Sequence, residues 1–419
     1  MIQIGCVADD FTGASDWASF FAQEGISTVL YNGIPEDGEV AEGDVAVIAL
    51  KSRTSPTEQA VEESLRALRW LKGQGASLYY IKYCSTFDCT RTGNIGPVTD
   101  AAMDFLKVKQ TILCPALPVN GRTVRDGCLF VNGIPLQESS MKDHPLTPMW
   151  DCRLRELMKE QGKGRTVTVE AQRYGDIEAA RKWVDRICGE QDRTYFVPDF
   201  YCQEHGKSIV EIFGSWKLLT GGSGLCTFLA KQMKKQEPTA YRGVAAPAIL
   251  IAGSCSEATL RQIRVYQKCG KKSLKIQPAR LLDGTENVET LWEQVKSWDD
   301  EEILLFSSEE AAVVAENQKY GKERIAALIE QVQAELAKRF VQAGRKRVIV
   351  AGGETSGAIT RKLGYRSYSI GKSIAPGVPV MTPDADPEVR LVLKSGNFGQ
   401  EDFFLRALAM TKEENENDG

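Results

Sequence analysis

Short, continuously apolar runs recur along the chain, each closed by polar residues or glycine and most followed by a stretch with helical periodicity. In the first half they are Ile2 to Val7, Ser27 to Tyr31, Val45 to Leu50, Leu78 to Lys82 and Thr111 to Cys114. Runs of this length without alternation predict strands covered on both faces, as in a parallel sheet. Helical patterns occupy Pro56 to Leu71 and Pro97 to Leu106, and a helical run through Trp17, Phe20 and Phe21 follows the first strand. A further unit follows, with a strand near Arg165 to Val169, a helix from Asp176 to Cys188 and a strand at Thr194 to Pro198. Between these, Phe130 to Glu138, centred on Asn132-Gly133, reads as a hairpin or turn.

Lys231 to Pro247 is polar and interrupted by Pro238 and Gly243, with little apolar periodicity, and marks a domain boundary. Beyond it the alternation resumes. Strands are expected at Ala248 to Ala252, Leu274 to Gln277, Ile303 to Ser307 and Val348 to Ala351, with helices at Glu257 to Lys268, Val288 to Trp298 and Lys322 to Ala343. A last strand, Leu391 to Lys394, enters the turn Ser395-Gly396-Asn397-Phe398-Gly399. A helix begins soon after, and the tail beyond Met410 reads as disordered. At 419 residues the chain exceeds the size at which one core keeps growing. The expected architecture is therefore α/β in two domains, each a mostly parallel sheet flanked by helices, with the active site in the interdomain cleft. The expected boundaries are 1–235, a linker 236–246, and 247–419.

Ligands of such sheets collect at the carboxyl ends of strands. In the first half those ends carry Asp9 and Asp10; Lys51, Ser52 and Arg53; Lys82 to Asn94; and Pro115 to Arg122. Adjacent carboxylates beside a helix start repel each other unless a cation or a substrate hydroxyl engages them, although one of the two can serve simply as an N-cap. In the second half the ends carry Gly253-Ser254, Ser307-Ser308, Gly352-Gly353-Glu354 and Ser395-Gly396-Asn397. Glycine turns running into helices gather backbone N–H donors, which suits phosphate. Ser254 or Ser256 serves as a helix cap, a ligand contact or both, and Lys394 is either a phosphate contact or the last strand residue. The run Thr220 to Leu225 reads equally as a hinge or a ligand loop.

Composition narrows the classes. With 42% hydrophobic residues, 26% charged residues and a net charge of −4, the chain reads as an ordinary globular protein, without the electrostatic footprint of a nucleic-acid or anionic-membrane binder. An anionic substrate therefore requires a local cationic pocket. No apolar run reaches the roughly 18 residues of a membrane span. The chain starts on a strand without a signal-like segment, so a cytoplasmic location is expected. The eleven cysteines lack Cys-x-x-Cys spacing and read as reduced thiols, Cys6 and Cys114 as buried ones; two histidines argue against a zinc site or a hydrolase triad. Gly371-Lys372-Ser373 imitates the end of a phosphate loop, but Arg366 stands where that pattern needs glycine. No Gly-x-Gly-x-x-Gly follows the first strand. Residues alone thus lead to a nucleotide and a small anion, with Glu354, Asp9 and Asp10 as candidate ion or base groups.

Taken together, the motifs resemble the four-carbon acid sugar kinase family. The matching residues are Ala8-Asp9-Asp10-Phe11-Thr12-Gly13-Ala14-x-Asp16, Gly352-Gly353-Glu354-Thr355-Ser356-Gly357, Pro376-Gly377-Val378-Pro379 and Leu393 to Gly399 with Asp402-Phe403-Phe404. Lys82 to Asp88, Gly93 to Val98, Cys114 to Thr123 and His144 to Met149 are similar to its 3-oxo-tetronate kinase branch. The wider family has Ser-Thr-Leu-Arg-Gly-Asn where this chain has Ser85-Thr86-Phe87-Asp88 and, after an insertion, Gly93-Asn94; that departure speaks against a plain threonate or erythronate kinase. The resemblance implies ATP-dependent phosphorylation of the 4-hydroxyl of a 3-oxo-tetronate. It also implies a sugar-acid-binding first domain and an ATP-binding second domain, the ATP contacts being Ser254 or Ser256, the run Gly352, Gly353, Glu354 and Thr355, and Gly396. On this footing, Arg53, Lys82 and Arg122 would neutralise the substrate carboxylate, with Ser85 and Asn94 on its hydroxyls or ketone. Asp10, with Asp9 as the alternative, would take the hydroxyl proton, Mg2+ would accompany the nucleotide, and domain closure would exclude water. The expected partner is a small-molecule sugar acid, with neither nucleic acid nor membrane, and a homodimer is compatible. A threonate or erythronate 4-kinase and a non-catalytic sugar-acid or nucleotide sensor are the alternatives.

Overall fold

The computed structural model describes residues 2–36, 38–143, 147–190, 192–233, 242–298, 302–310, 313–314 and 321–413. His144 to Leu146 of the fourth family motif, linker residues 236–241 and tail residues 414–419 lie outside the described residues. The chain divides into two compact units, Met1–Pro238 and Thr239–Gly419.

In the first unit the strands are β1 (Ile4–Ala8), β2 (Thr28–Asn32), β3 (Val45–Ala49), β4 (Leu78–Lys82), β5 (Gln110–Cys114), β6 (Arg122–Arg125), β7 (Cys128–Val131), β8 (Ile134–Pro135), β9 (Arg165–Val169), β10 (Thr194–Pro198) and β11 (Leu218–Gly221). The helices are α1 (Phe11–Gln23), α2 (Thr57–Gly73), α3 (Ile95–Leu106), α4 (Leu154–Lys159), α5 (Ile177–Cys188), α6 (Gln203–Phe213) and α7 (Cys226–Gln232). Eight strands pair in the order β2-β3-β1-β4-β11-β5-β10-β9, and every one of these pairings is parallel. All five residues of β1 and of β3 are buried, as expected of parallel strands covered on both faces. Trp17 of α1 packs on Tyr80 of β4, with ring centroids 5.3 Å apart. A small antiparallel sheet, β6-β7-β8, turns at Asn132 and Gly133, both at positive φ, as the hairpin reading requires.

The second unit holds β12 (Ala248–Ala252), α8 (Glu257–Lys268), β13 (Ser273–Lys275), α9 (Pro278–Leu282), α10 (Val288–Val295), β14 (Glu302–Phe306), α11 (Lys322–Gln342), β15 (Arg347–Ala351), α12 (Gly353–Leu363), β16 (Ser367–Ala375), β17 (Val378–Pro383), β18 (Arg390–Lys394) and α13 (Phe403–Thr411). Its strands run β13-β14-β12-β15-β18-β17-β16, parallel as far as β18 and antiparallel from there. The expected strands agree to within a residue or two.

Four strands were not expected, one of them β6 (Arg122–Arg125) of the small sheet. β11 has only two apolar residues before Thr220, β16 contains Gly371-Lys372-Ser373, and β17 carries two prolines, which normally argue against a strand. The imitation phosphate loop is therefore strand backbone. Disorder does not begin after Met410, because Thr411 is buried at the end of α13 and Lys412 bridges to Val244. The described part of the expected linker is also held: Arg390 Nε donates to the Arg242 carbonyl at 2.8 Å and Arg347 Nε to the Ala246 carbonyl at 2.6 Å.

Arg347 is fully buried, and its Nη1 also donates to the Leu408 carbonyl at 2.9 Å. One guanidinium thus ties the start of β15 to the entering chain and to α13. Arg347→Met should lower the unfolding free energy by roughly 2–3 kcal/mol, the worth of charge-assisted bonds to carbonyls that it leaves unsatisfied. Urea titration followed by tryptophan fluorescence measures it, and an unchanged midpoint would assign no structural weight to Arg347.

Candidate functional site

In each unit the strand order reverses direction beside one strand, and the polar turns gather there. In the first unit β1 lies between β3 and β4, so Asp9-Asp10, Arg53 and Lys82 all leave neighbouring strand ends at a topological switch point. Arg53 grips Asp9 in a two-pronged contact, Nε to Oδ2 at 2.9 Å and Nη2 to Oδ1 at 3.0 Å, and Nη2 also pairs with Asp10 Oδ2. Its remaining nitrogen, Nη1, stands 3.9 Å from Asp88 Oδ2. The cation that relieves the two adjacent carboxylates is therefore supplied by the chain itself. Arg53 was expected on a substrate carboxylate; in the structure most of its donors hold Asp9 and Asp10.

Asp10 caps α1, its Oδ1 accepting the Gly13 N–H, so the cap reading and the site reading apply to the same residue. Its side chain is 31% exposed and that of Asp9 15%. Burial pushes Asp10 up, but Arg53, Lys82 and the Gly13 N–H together outweigh it and hold the carboxyl below its ordinary range. For Asp9 burial wins over Arg53, and the carboxyl sits above its ordinary value. Lys82 is 3% exposed and its Nζ donates to the Tyr83 carbonyl at 2.9 Å. Burial lowers it, yet Asp16, Asp9 and Asp10 raise it more, so it stays charged. A Cβ on Gly13 would stand 3.0 Å from Asp10 Oδ1 and 3.1 Å from Lys82 Nζ, which shows how tightly the ammonium is tucked under the first turn of α1.

The other expected residues divide. Asn94 spends its amide on backbone, donating to the Ser52 and Ser55 carbonyls at 2.7 and 2.8 Å and accepting from Thr57 Oγ1 at 2.9 Å. That fixes the loop carrying Arg53. Ser85 lies half-buried in the turn after β4. Arg122 opens β6, and its Nη1 donates to the Asn120 carbonyl rather than joining the Arg53 cluster. A small cavity opens among Asp9, Ser52, Arg53, Lys82, Asp88 and Asn94.

Sequence reasoning assigned no role to Asp16, Ser223 or Asp88. Ser223 Oγ donates to Asp16 Oδ2 at 2.5 Å, and Asp16 is the largest charge influence keeping Lys82 protonated. An acid among Trp17, Phe20 and Phe21 on a helix was the available signal for Asp16. The run from Thr220 is thereby explained: β11 ends on Gly221, where a Cβ would meet the Cys114 carbonyl at 2.1 Å, and the next turn delivers Ser223 to the cluster.

In the second unit the switch point lies between β12 and β15, and the turns after β12, β15 and β18 converge. A Cβ on Gly396 would lie 2.2 Å from Ser254 Oγ and 3.0 Å from Ser256 Oγ; one on Gly352, at φ +134, would lie 3.1 Å from both the Ser254 N and Thr355 Oγ1. Only glycine permits this approach. Ser256 caps α8, accepting from the Thr259 N–H at 3.3 Å, and its hydroxyl donates to the Gly396 carbonyl at 2.7 Å. Ser254 Oγ accepts the Ser256 N–H at 3.2 Å. Gly352 provides α12 with no side-chain cap, so the first N–H groups of that helix, at exposed Gly353 and Glu354 and at Thr355, face no capping oxygen. Such a terminus suits phosphate. Gln262, which sequence reasoning also passed over, donates to the Phe398, Gly399 and Gln400 carbonyls at 3.0–3.2 Å and shapes the last turn. Among the described residues no group of three or more His, Cys, Asp or Glu is placed to hold a metal ion. Nor is any helix among them long and apolar enough to cross a membrane.

Comparison with known proteins follows this division. Residues 4–229 match the family of the sugar-binding N-terminal domain, and residues 249–404 that of the nucleotide-binding C-terminal domain. The chain is 42% identical to a Salmonella typhimurium protein named 3-oxo-tetronate kinase, over 97% of this chain and 99% of that one. It is 39% identical to a Brucella melitensis protein of the same name, over 99% of this chain and 97% of that one. Among solved structures, Haemophilus influenzae protein HI1011 matches with a TM-score of 0.83 at 39% identity, covering 97% of this chain and 100% of that chain.

The electrostatics of the first cluster can be read directly. In Arg53→Gln the Asp10 carboxyl should titrate roughly one unit or more higher than in the unaltered protein, since the nearest cation is gone. Carbon-13 NMR of labelled aspartate side chains reports it. An unmoved Asp10 titration would mean that Lys82 and the helix N–H suffice without Arg53.

Proposed function

This chain belongs to the four-carbon acid sugar kinase family, and we propose that it transfers the γ-phosphoryl group of ATP to the 4-hydroxyl of a 3-oxo-tetronate. The observation that carries the reading is near-full-length identity to proteins of that name, joined to two clusters of the right chemistry. One is a carboxylate and cation cluster on the first unit; the other is a set of N–H-lined turns on the second.

Bound ATP supplies the phosphoryl group, and the residues present fit its phosphates. The open N–H groups of Gly353, Glu354 and Thr355 and the close-packed Gly352 and Gly396 would cradle them. Of the two serines, Ser254 is the better contact, because Ser256 already spends its hydroxyl on the cap and on Gly396. The Mg2+ that travels with ATP is normally held through phosphate and water with one or two carboxylates, so no three-ligand protein cage is needed.

On the acceptor side, Asp10 aligns the 4-hydroxyl and takes its proton. It is the more exposed of the two carboxylates and the one held below its ordinary range. A carboxylate of low pKa is a modest base, which suits phosphoryl transfer, where orienting the nucleophile matters more than early deprotonation. Asp9, gripped by Arg53, fixes that arginine. Arg53 Nη1 is the cationic donor of the cluster offered to an acid substrate, Lys82 beneath it holds the carboxylates in place, and Asn94 positions the Arg53 loop. Ser85, in the turn after β4, and Arg122, in the segment after β5, would be further contacts.

Two measurements test this. Coupled ADP release over four-carbon acids, with the phosphate position read by NMR, should favour substrates bearing the 3-oxo group. Preference for threonate or erythronate would move the assignment to that kinase type, and nucleotide binding without acceptor-dependent ADP release would indicate a sensor. Asp10→Asn should lower kcat by roughly two orders of magnitude or more in a folded protein; near-normal turnover would pass the role to Asp9.

A further inference from the structure

The last turn of the second unit is organised around a buried ammonium. Lys394 ends β18 with no exposed surface, and its Nζ donates to the Gly396 carbonyl at 2.8 Å, the Ser395 carbonyl at 3.0 Å and Thr259 Oγ1 at 3.1 Å. The Gly396 carbonyl also accepts from Ser256 Oγ at 2.7 Å and Thr259 Oγ1 at 2.9 Å. Two consecutive carbonyls are thus drawn inward onto one cation.

A trans peptide is planar, so the carbonyl of one residue and the N–H of the next point in opposite directions. Pulling in the Ser395 and Gly396 carbonyls turns the N–H groups of Gly396 and Asn397 outward. Neither of these N–H groups has a hydrogen-bond acceptor among the described residues. Successive N–H groups aimed the same way make an anion seat.

Among the described residues, the groups facing Lys394 are uncharged. From α8 comes the hydroxyl of Thr259, from the turn the two carbonyls, and from α13 the Phe403 ring, whose centroid is 5.7 Å away. Burial, with no carboxylate to oppose it, lowers the ammonium to about 7. The missing negative charge is what an anion at the outward N–H groups would provide.

Resting on the nucleotide reading above, we propose that Lys394 is a positioning residue: its ammonium shapes a two-donor seat at Gly396 and Asn397 that receives a phosphate of the nucleotide. Lys394 does not touch the phosphate. It orients the peptides that do, and its positive charge is sensed through them.

Binding of ADP and of adenosine, measured by calorimetry on the full chain and on Lys394→Met between pH 6 and 8.5, tests this. The variant should bind ADP at least tenfold more weakly at pH 6 and bind adenosine within twofold of the unaltered protein. The ratio of the two proteins' ADP affinities should shrink as pH rises through the lysine's titration; because it is a ratio, the titration of ADP itself cancels. Equal ADP affinity of the two proteins across the range would overturn the proposal. So would parallel loss of ADP and adenosine binding with a lowered melting temperature, which would mark Lys394 as structural only. Failure of the unaltered protein to bind ADP or ATP would instead overturn the nucleotide reading, and this inference with it.

Discussion

The contact between Arg53 and the neighbouring carboxylates of Asp9 and Asp10 is the constraint on which the first unit's site depends. Two acids at the end of one strand and at the cap of its helix cannot both remain ionised and partly buried without a cation. Arg53 arrives from the loop after β3, and Asn94, at the start of α3, clamps that loop through the Ser52 and Ser55 carbonyls. Lys82, from β4, lies beneath and is held charged by Asp16, which Ser223 orients from the turn after β11. Five separate chain segments thus converge on one balance of charge, and its outcome is an Asp10 carboxyl held below its ordinary range beside an Asp9 carboxyl that burial holds above it.

The second unit meets the same topological opportunity with the opposite chemistry. Lys82 and Lys394 both end central strands and both are buried, yet the first is raised by three carboxylates and the second lowered by burial alone. A cation already matched to acids can stabilise an arrangement of side chains. One matched only to carbonyls and a hydroxyl keeps its charge unanswered, and it orders the backbone so that N–H donors face outward. The two clusters therefore suit different work: one holds an acid–base group, the other presents donors to an anion.

Much of this was legible in the chain. Continuous apolar runs such as Val45 to Leu50 and Ala248 to Ala252 leave little freedom, because five or six apolar residues closed by polar ones are too short for a typical helix and suit a strand covered on both faces. The glycines at 352 and 396 could be flagged as turn residues for the same local reason. Less legible were β16 and β17: Pro379 of β17 sits where the ladder with β16 shifts register, and Pro383 closes the strand, positions that no local pattern announces. Nor does any local pattern record that Arg390 and Arg347 hold residues 242–246 through carbonyls about 100 residues or more away in sequence.

The sequence by itself determined the two α/β units, the strand ends on which polar residues gather, and the family to which the motifs belong. Each of these rests on interactions between near neighbours in the chain: burial period, turn chemistry and helix capping. Tertiary structure alone decided that Arg53 is spent on Asp9 and Asp10, that Asn94 is a strut, and that Asp16 and Ser223 belong to the cluster. It also decided that Lys394 faces inward to the turn carbonyls. Apart from the contacts Lys394 makes within its own turn, these are matters of which group finds which partner across about 40 to 200 residues, and burial and Coulomb balance settle them only when the strands lie side by side.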